Sequence, residues 1–252
     1  MTEFWFIRHG ESESNAGLPS VSDHSTPLTA KGLLQADHVA GHLTKPPDLF
    51  VVSPYVRAIQ TAQPTTAKFP ETPVQTWPIQ EFSYLSHQQY HNTNSKQRGE
   101  LSRNYFKQAD PDLVLGDGGE SFHQFIERIE STLEMLHNSS EKFIILFGHG
   151  WFMRATLWYL YKYQSENKQK KEFKTAIQNT MPSLSWVFGM FSLFERLKAK
   201  KIFAFLLFSA AVQIPNGGIL KFRTTTSRRI DLLDFDLTHL PEELKEITWI
   251  NR

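Results

Sequence analysis

The sequence predicts an α/β fold of three layers, with a mostly parallel central sheet flanked by helices. Three observations predict it. Short, continuously apolar runs occupy residues 4–7, 49–52 and 143–147; patterns of helical period follow them; and Gly10, Ser53-Pro54 and Gly148 stop the runs abruptly. Strands apolar on every position are buried on both faces, and strands joined by helix-length segments run parallel.

Taken in order, Phe4, Trp5, Phe6 and Ile7 form a buried strand that empties into a Ser-rich loop, residues 12–25. Thr29 is placed to cap a helix whose apolar residues Leu33, Ala36, Val39, Ala40 and Leu43 recur at helical spacing, with Pro46-Pro47 stopping it. Residues 49–52 make the second strand, and 55–66 a helix interrupted by Pro64 and Pro70. Residues 74–77 suit a third strand. The polar, weakly periodic segment 83–119 is a long excursion of the kind that covers active sites. Ser121 then caps the clearest helix of the chain, with Phe122, Phe125, Ile126, Ile129, Leu133 and Leu136 on one face. Residues 143–147 form the fourth strand, and Gly148-His149-Gly150 turns it into a helix over 151–163.

The pattern breaks after that helix. Between Lys162 and Lys201 nine basic residues face three glutamates, and the apolar positions Leu184, Val187, Phe188, Phe191, Phe194 and Leu197 lead into the apolar run 202–212. This reads as a basic, apolar helical insertion, 165–213, within a single domain spanning 1–252. A helical hairpin over one sheet edge is the expectation; a lid, or a dimer or membrane-surface contact through 183–212, is the alternative. Pro215-Asn216-Gly217-Gly218 is a strong turn before a strand at 219–222, and 230–235 adds one more.

Composition shortens the list of functions. With 27 Lys+Arg against 26 Asp+Glu the net charge is +1, so no global field recruits nucleic acid. The absence of cysteine excludes a thiolate nucleophile, an iron–sulfur cluster and a Cys-ligated zinc. The longest strongly apolar run is too short for a transmembrane helix, and the acidic Glu3 with only four apolar residues after it does not suit a signal peptide; a cytoplasmic location is expected.

Arg8-His9-Gly10, Ser53 to Arg57 and Gly148-His149-Gly150 each end a strand, so two histidines and two arginines converge at the carboxyl edge of the sheet, an anion site in outline. These motifs, with Asn15, Leu28-Thr29, Gly32, Gln35-Ala36, Ala58 to Ala62, Glu81, Gly119-Glu120-Ser121 and Arg154 in order, resemble the histidine phosphatase superfamily, which includes phosphoglycerate mutase-like enzymes. The resemblance implies a metal-independent phosphomonoester hydrolase acting through a phosphohistidine. His9 matches the nucleophile, and its other ring nitrogen then needs an acceptor. Arg8, Arg57 and His149 match the phosphate pocket, with Asn15 as a neutral donor and His149 also catalytic. Glu81 matches the acid that protonates the leaving oxygen. Glu11 and Glu120 compete for that role, whereas Gly150 stands where the other branch of the superfamily has an Asp.

Neither metal nor cofactor is implied, and His87, His91 and His123 lack metal-ligand spacing. Loop 16–27 lacks the extended, aromatic and Asn-rich substrate loop of the mutases, which favours hydrolysis over a phosphomutase; a non-catalytic phospholigand-binding or scaffold module is the third reading. The expected partner is a phosphorylated small molecule or a phosphoprotein. Arg154 fits an exposed helix position as well as the site.

Overall fold

The computed structural model describes residues 1–163, 175, 201–227 and 229–245. One six-stranded sheet has the order β3-β2-β4-β1-β5-β6, built from β1 (Glu3–Arg8), β2 (Leu49–Val52), β3 (Val74–Thr76), β4 (Phe143–Gly148), β5 (Ile219–Thr224) and β6 (Ile230–Asp236). The first four strands pair in parallel; β5 pairs antiparallel to β1, and β6 antiparallel to β5. Strand parity divides the core into two layers. Phe4, Phe6, Ile144, Leu146, Leu220 and Phe222 face one cluster, while Ile7, Phe50, Val52, Ile145, Phe147 and Ile219 face the other.

The second cluster is covered by α1 (Ala30–His42) and α2 (Val56–Lys68), the first by α5 (Phe122–Asn138) and α6 (Gly150–Tyr163). Thr29 caps α1 by accepting from Gly32 N, and Ser121 forms a capping box with Gln124 at α5. Leu33, expected on the apolar face of α1, is instead exposed; that helix buries Gly32, Gln35, Ala36, Val39 and Ala40, of which the glycine and the two alanines allow close approach of neighbouring backbone. It also ends at His42, before the two prolines. Helix α2 runs through Pro64 to Lys68. The proline deletes one hydrogen bond near the helix end, and burial of Ala58, Thr61, Ala62 and Thr65 on the sheet outweighs that loss.

The excursion 83–119 contains two helices, α3 (His87–Tyr90) and α4 (Ser95–Gln108). Each opens with a capping box, Ser86 with Gln89 and Asn94 with Gln97. Of the basic, apolar insertion, the described part is α7 (Lys201–Ala211) and the residues that follow it; 165–174 and 176–200 lie outside the described residues. Ile202, Phe205, Phe208 and Val212 are buried, and the Phe205 ring lies 5.3 Å from Phe122 and 5.6 Å from both Trp151 and Trp158. These four positions at the end of the 183–212 segment are therefore core, whereas 183–200, on which the expected hairpin, lid, dimer or membrane-surface contact also depends, lie outside the described residues. Among the described residues no helix is long and apolar enough to cross a membrane.

Candidate active site

Strand register brings the site together. Arg8 at the end of β1 lies opposite Gly148 at the end of β4, Val52 of β2 opposite Phe147, and Ile7 opposite Ile219 of β5. His9, Ser53, His149 and the turn at Asn216 thus leave the sheet at one edge. The loop after β1 is pressed onto α1 so tightly that a Cβ on Gly10 would lie 2.3 Å from the Gly32 carbonyl oxygen, which requires glycine at that contact.

His9 is buried, and its Nδ1 donates to the Gly10 carbonyl at 2.7 Å, leaving the lone pair on Nε2, which accepts from Arg57 Nε at 3.1 Å. The Gly10 amide is in turn held by Thr61 Oγ1 at 3.0 Å. Burial, then the Arg57 and Arg8 charges, push the imidazole well below its ordinary pKa, so it is neutral at pH 7. His149 lies with its ring 5.0 Å from that of His9, its Nε2 2.8 Å from Ser53 Oγ. Burial and the same guanidiniums lower its pKa as well. Asn216 Nδ2 donates to the His9 carbonyl at 2.9 Å and to Asn15 Oδ1 at 3.1 Å; Asn15 Oδ1 also accepts from Ser12, which leaves the Asn15 amide nitrogen as its free donor.

Three guanidiniums surround these rings. Arg57 pairs with Asp23 at 3.0 Å; burial opposes its charge, and Asp23 with Glu81 more than restores it. Arg8 donates from one terminal nitrogen to the Ile214 carbonyl, and burial with the neighbouring Arg154 lowers its pKa to about 10. Arg154 is buried, not exposed; its Nε donates to Gly150 O at 3.0 Å and its NH1 to Ser209 O at 3.2 Å, and its pKa is likewise lowered to about 10, chiefly by burial. Two buried nitrogens here have no hydrogen-bond partner, Arg8 Nε and His149 Nδ1.

The motifs, their register and this anion pocket agree with a family model: the histidine phosphatase superfamily, branch 1, matches residues 4–181. The chain belongs to that superfamily. As a histidine phosphatase, it is an enzyme. Its solved likenesses share the fold at low identity. An alpha-ribazole phosphatase from Shigella flexneri is 18% identical with a TM-score of 0.61, covering 94% of this chain and 96% of that one. A phosphoserine phosphatase from Entamoeba histolytica is 18% identical with a TM-score of 0.60, covering 96% and 100%. A mycobacterial glucosyl-3-phosphoglycerate phosphatase is 18% identical with a TM-score of 0.61, covering 93% and 98%. A search of curated proteins found no match.

In this histidine phosphatase His9, Asn15, Arg57 and Glu81 line a cleft of about 150 Å³, with Tyr55, Tyr84, Tyr90 and Trp151 among its walls. Glu81 Oε1 accepts from Trp151 N at 2.8 Å, at the start of α6. Burial raises its pKa against the opposing pull of Arg57, Arg154 and Arg8. The rival acids are engaged elsewhere. Glu11 accepts from Thr29 Oγ1 at 2.8 Å; Glu120 accepts from Ser83 N at 3.0 Å and forms a two-point pair with Arg128 at 2.6 and 3.0 Å. One oxygen or nitrogen from each of His9, Glu81 and His149 lies within 4.8 Å of the others, a ligand set in outline, but the three guanidiniums around it repel a cation.

Sequence reasoning missed two residues here. Arg128 NH1 donates to the carbonyls of Pro78 at 2.8 Å and Gln80 at 3.1 Å, which fixes the chain leading into Glu81. No local signature marks it, since its partners lie 8 and about 50 positions away. Asp23 sits in a loop with no periodicity, and only the fold reveals that it faces Arg57.

Proposed function

We propose that this histidine phosphatase hydrolyses small phosphomonoesters through a phosphohistidine on His9, without a metal or cofactor. The observation that carries the reading is the His9 imidazole: neutral, fixed through Nδ1 to Gly10 O, and presenting the Nε2 lone pair beside Arg57. On entry of the phosphoryl group, Arg57 Nε turns from Nε2 to a phosphoryl oxygen; Arg8 Nε, buried and unpartnered, supplies a further donor, as does the equally unpartnered His149 Nδ1 in the tautomer whose Nε2 accepts from Ser53 Oγ. Nε2 attacks phosphorus, the phosphorus–oxygen bond to the alcohol breaks, and the carboxyl proton of Glu81 goes to the departing oxygen. The resulting carboxylate takes a proton from water as the water oxygen attacks phosphorus. The phosphorus–nitrogen bond breaks, releasing inorganic phosphate, neutral His9 and protonated Glu81.

Hydrolysis is favoured over mutase chemistry by the short loop 16–27 and by the likeness to proteins named as phosphatases. The narrow, partly aromatic cleft favours a small molecule over a phosphoprotein. The test is a denaturing alkaline quench of wild type and His9→Ala after mixing with a radiolabelled phosphomonoester and EDTA. Base-stable, acid-labile label on wild type alone is expected. Phosphate release without trapped label, or equal label on both proteins, overturns the mechanism.

A further inference from the structure

On the face of the molecule formed by the end of α1 and the turn after β6, three imidazoles gather with no part in the chemistry above. His42 is the last residue of α1 and His239 follows β6; their rings lie 5.0 Å apart, and one donor atom from each lies within 4.8 Å of the other and of Asp236. His38, one helical turn before His42, borders the same open hollow, with Asp37 and Gly41.

We infer that His42 and His239, joined by His38 once its exposed side chain turns inward over the hollow, form a binding site for an imidazole-seeking transition-metal dication such as zinc. The hydrogen bonds around the rings support it. His239 Nε2 contacts the Gly217 carbonyl at 3.0 Å and must donate to it, so its lone pair is on Nδ1, which is buried and has no partner. His42 Nε2 is held by Asp236 Oδ2 at 3.0 Å. A ring whose far nitrogen is anchored by a carbonyl or carboxylate is oriented as metal-binding histidines are. Asp236 acts as such an anchor and not as a ligand, because Oδ1 already accepts from Thr238 N at 2.8 Å and Oδ2 from Lys221 Nζ at 2.6 Å. A donor set of imidazoles selects zinc, copper or nickel over magnesium or calcium.

The site would tie α1 to the 215–218 turn. Gly217 N donates to Arg8 O at 3.1 Å and Asn216 holds the His9 carbonyl, so metal loading stiffens the backbone behind the nucleophile.

The experiment is a zinc titration of the tag-free full chain against a chromophoric chelator in phosphate-free buffer. It uses wild type, His239→Asn, His38→Asn and His9→Asn, with circular dichroism to verify folding. Wild type and His9→Asn are expected to take one tight equivalent, and His239→Asn to bind at least about tenfold more weakly. Should His239→Asn fail to fold, weakened binding by His38→Asn, a change at an exposed position, supports the site in its place. Unchanged affinity in the folded 38 and 239 variants, loss of the equivalent in His9→Asn, or no micromolar binding by wild type overturns the inference.

Discussion

Replacing Glu81 with Gln separates proton transfer from positioning. The amide keeps an oxygen for Trp151 N, whose bond is 2.8 Å, so the loop and the start of α6 stay in place while the transferable proton is lost. General acid catalysis contributes about 10²- to 10⁴-fold, or roughly 3–5 kcal/mol of barrier. Turnover of an alkyl phosphomonoester should fall by about that factor. Nitrophenyl phosphate, whose leaving group needs little protonation, should lose less than about tenfold. Above the raised pKa of Glu81, where the wild-type carboxyl is ionised, the substitution also removes a negative charge facing Arg57, Arg154 and Arg8, so KM for both dianionic substrates should fall there. The pH profile gives a second reading. Burial raises the Glu81 pKa, and only the protonated form donates, so wild-type kcat/KM for the alkyl substrate should decline as pH rises through that raised pKa. The Gln variant should lack this limb. Equal slowing of both substrates, with the limb retained, would refute the assignment of the proton to Glu81.

Three further outcomes follow from particular contacts. Asp23→Asn removes the anion paired with Arg57 at 3.0 Å, so inhibition by inorganic phosphate should tighten about fivefold, roughly 1 kcal/mol for a partly exposed pair; an unchanged inhibition constant would show that Asp23 does not compete with phosphate. Arg128→Lys keeps the charge but cannot make the two-point pair with Glu120 while also holding the Pro78 and Gln80 carbonyls. It should cost about 2–3 kcal/mol, seen as a Tm lowered by about 5–10 °C, with kcat reduced on both substrates; an unaltered Tm would show that the bracket is dispensable. Finally, His9, His149 and His239 all have folded pKa values below 6.5, so below that pH the unfolded chain binds more protons than the folded one and stability falls as pH falls. Each such group adds about 1.4 kcal/mol per pH unit to the slope between its two pKa values; denaturant midpoints from pH 6.5 to 4 should therefore fall less steeply in His239→Asn. Parallel curves would exclude His239 from the acid sensitivity.

The sheet was legible because its central strands are buried on both faces, which leaves runs with no polar residue. The convergence of Arg8, His9, Arg57 and His149 was legible because each follows directly on such a strand or on the turn after it. Where tertiary packing decides, the sequence misled. Pro64 argues for a helix end, yet the buried face of α2 carries the helix past it. Leu33 looks like core but points to solvent, because α1 turns the face of Gly32, Ala36, Val39 and Ala40 inward instead. The helices of the 83–119 excursion carried a readable signal, the spacing of Ser86 to Gln89 and Asn94 to Gln97, but their polar faces gave no period to support it. The run 202–212 is apolar enough for either a surface patch or a core, and only its packing on Phe122 and Trp158 distinguishes them.

The electrostatics of the site make one cluster of charges serve several purposes, which limits what some substitutions can reveal. The guanidiniums of Arg8 and Arg57 both depress the His9 pKa, and both also hold Glu81 below the value that burial alone would give it. They are the donors available to a phosphoryl group as well. Replacing either arginine would therefore weaken anion binding, bring the nucleophile closer to protonation and raise the pKa of the acid, three effects that one rate constant cannot separate. Arg154 sits among the same charges, but it also ties α6 to α7 through Gly150 and Ser209, so its loss would add a structural term. His9→Ala and Glu81→Gln avoid most of this ambiguity. The first removes the attacking nitrogen and leaves every cation in place; the second keeps its hydrogen bond to Trp151 N and removes the transferable proton. For that reason the phosphohistidine trap and the leaving-group comparison decide the mechanism, and arginine variants are best read afterwards against those two baselines.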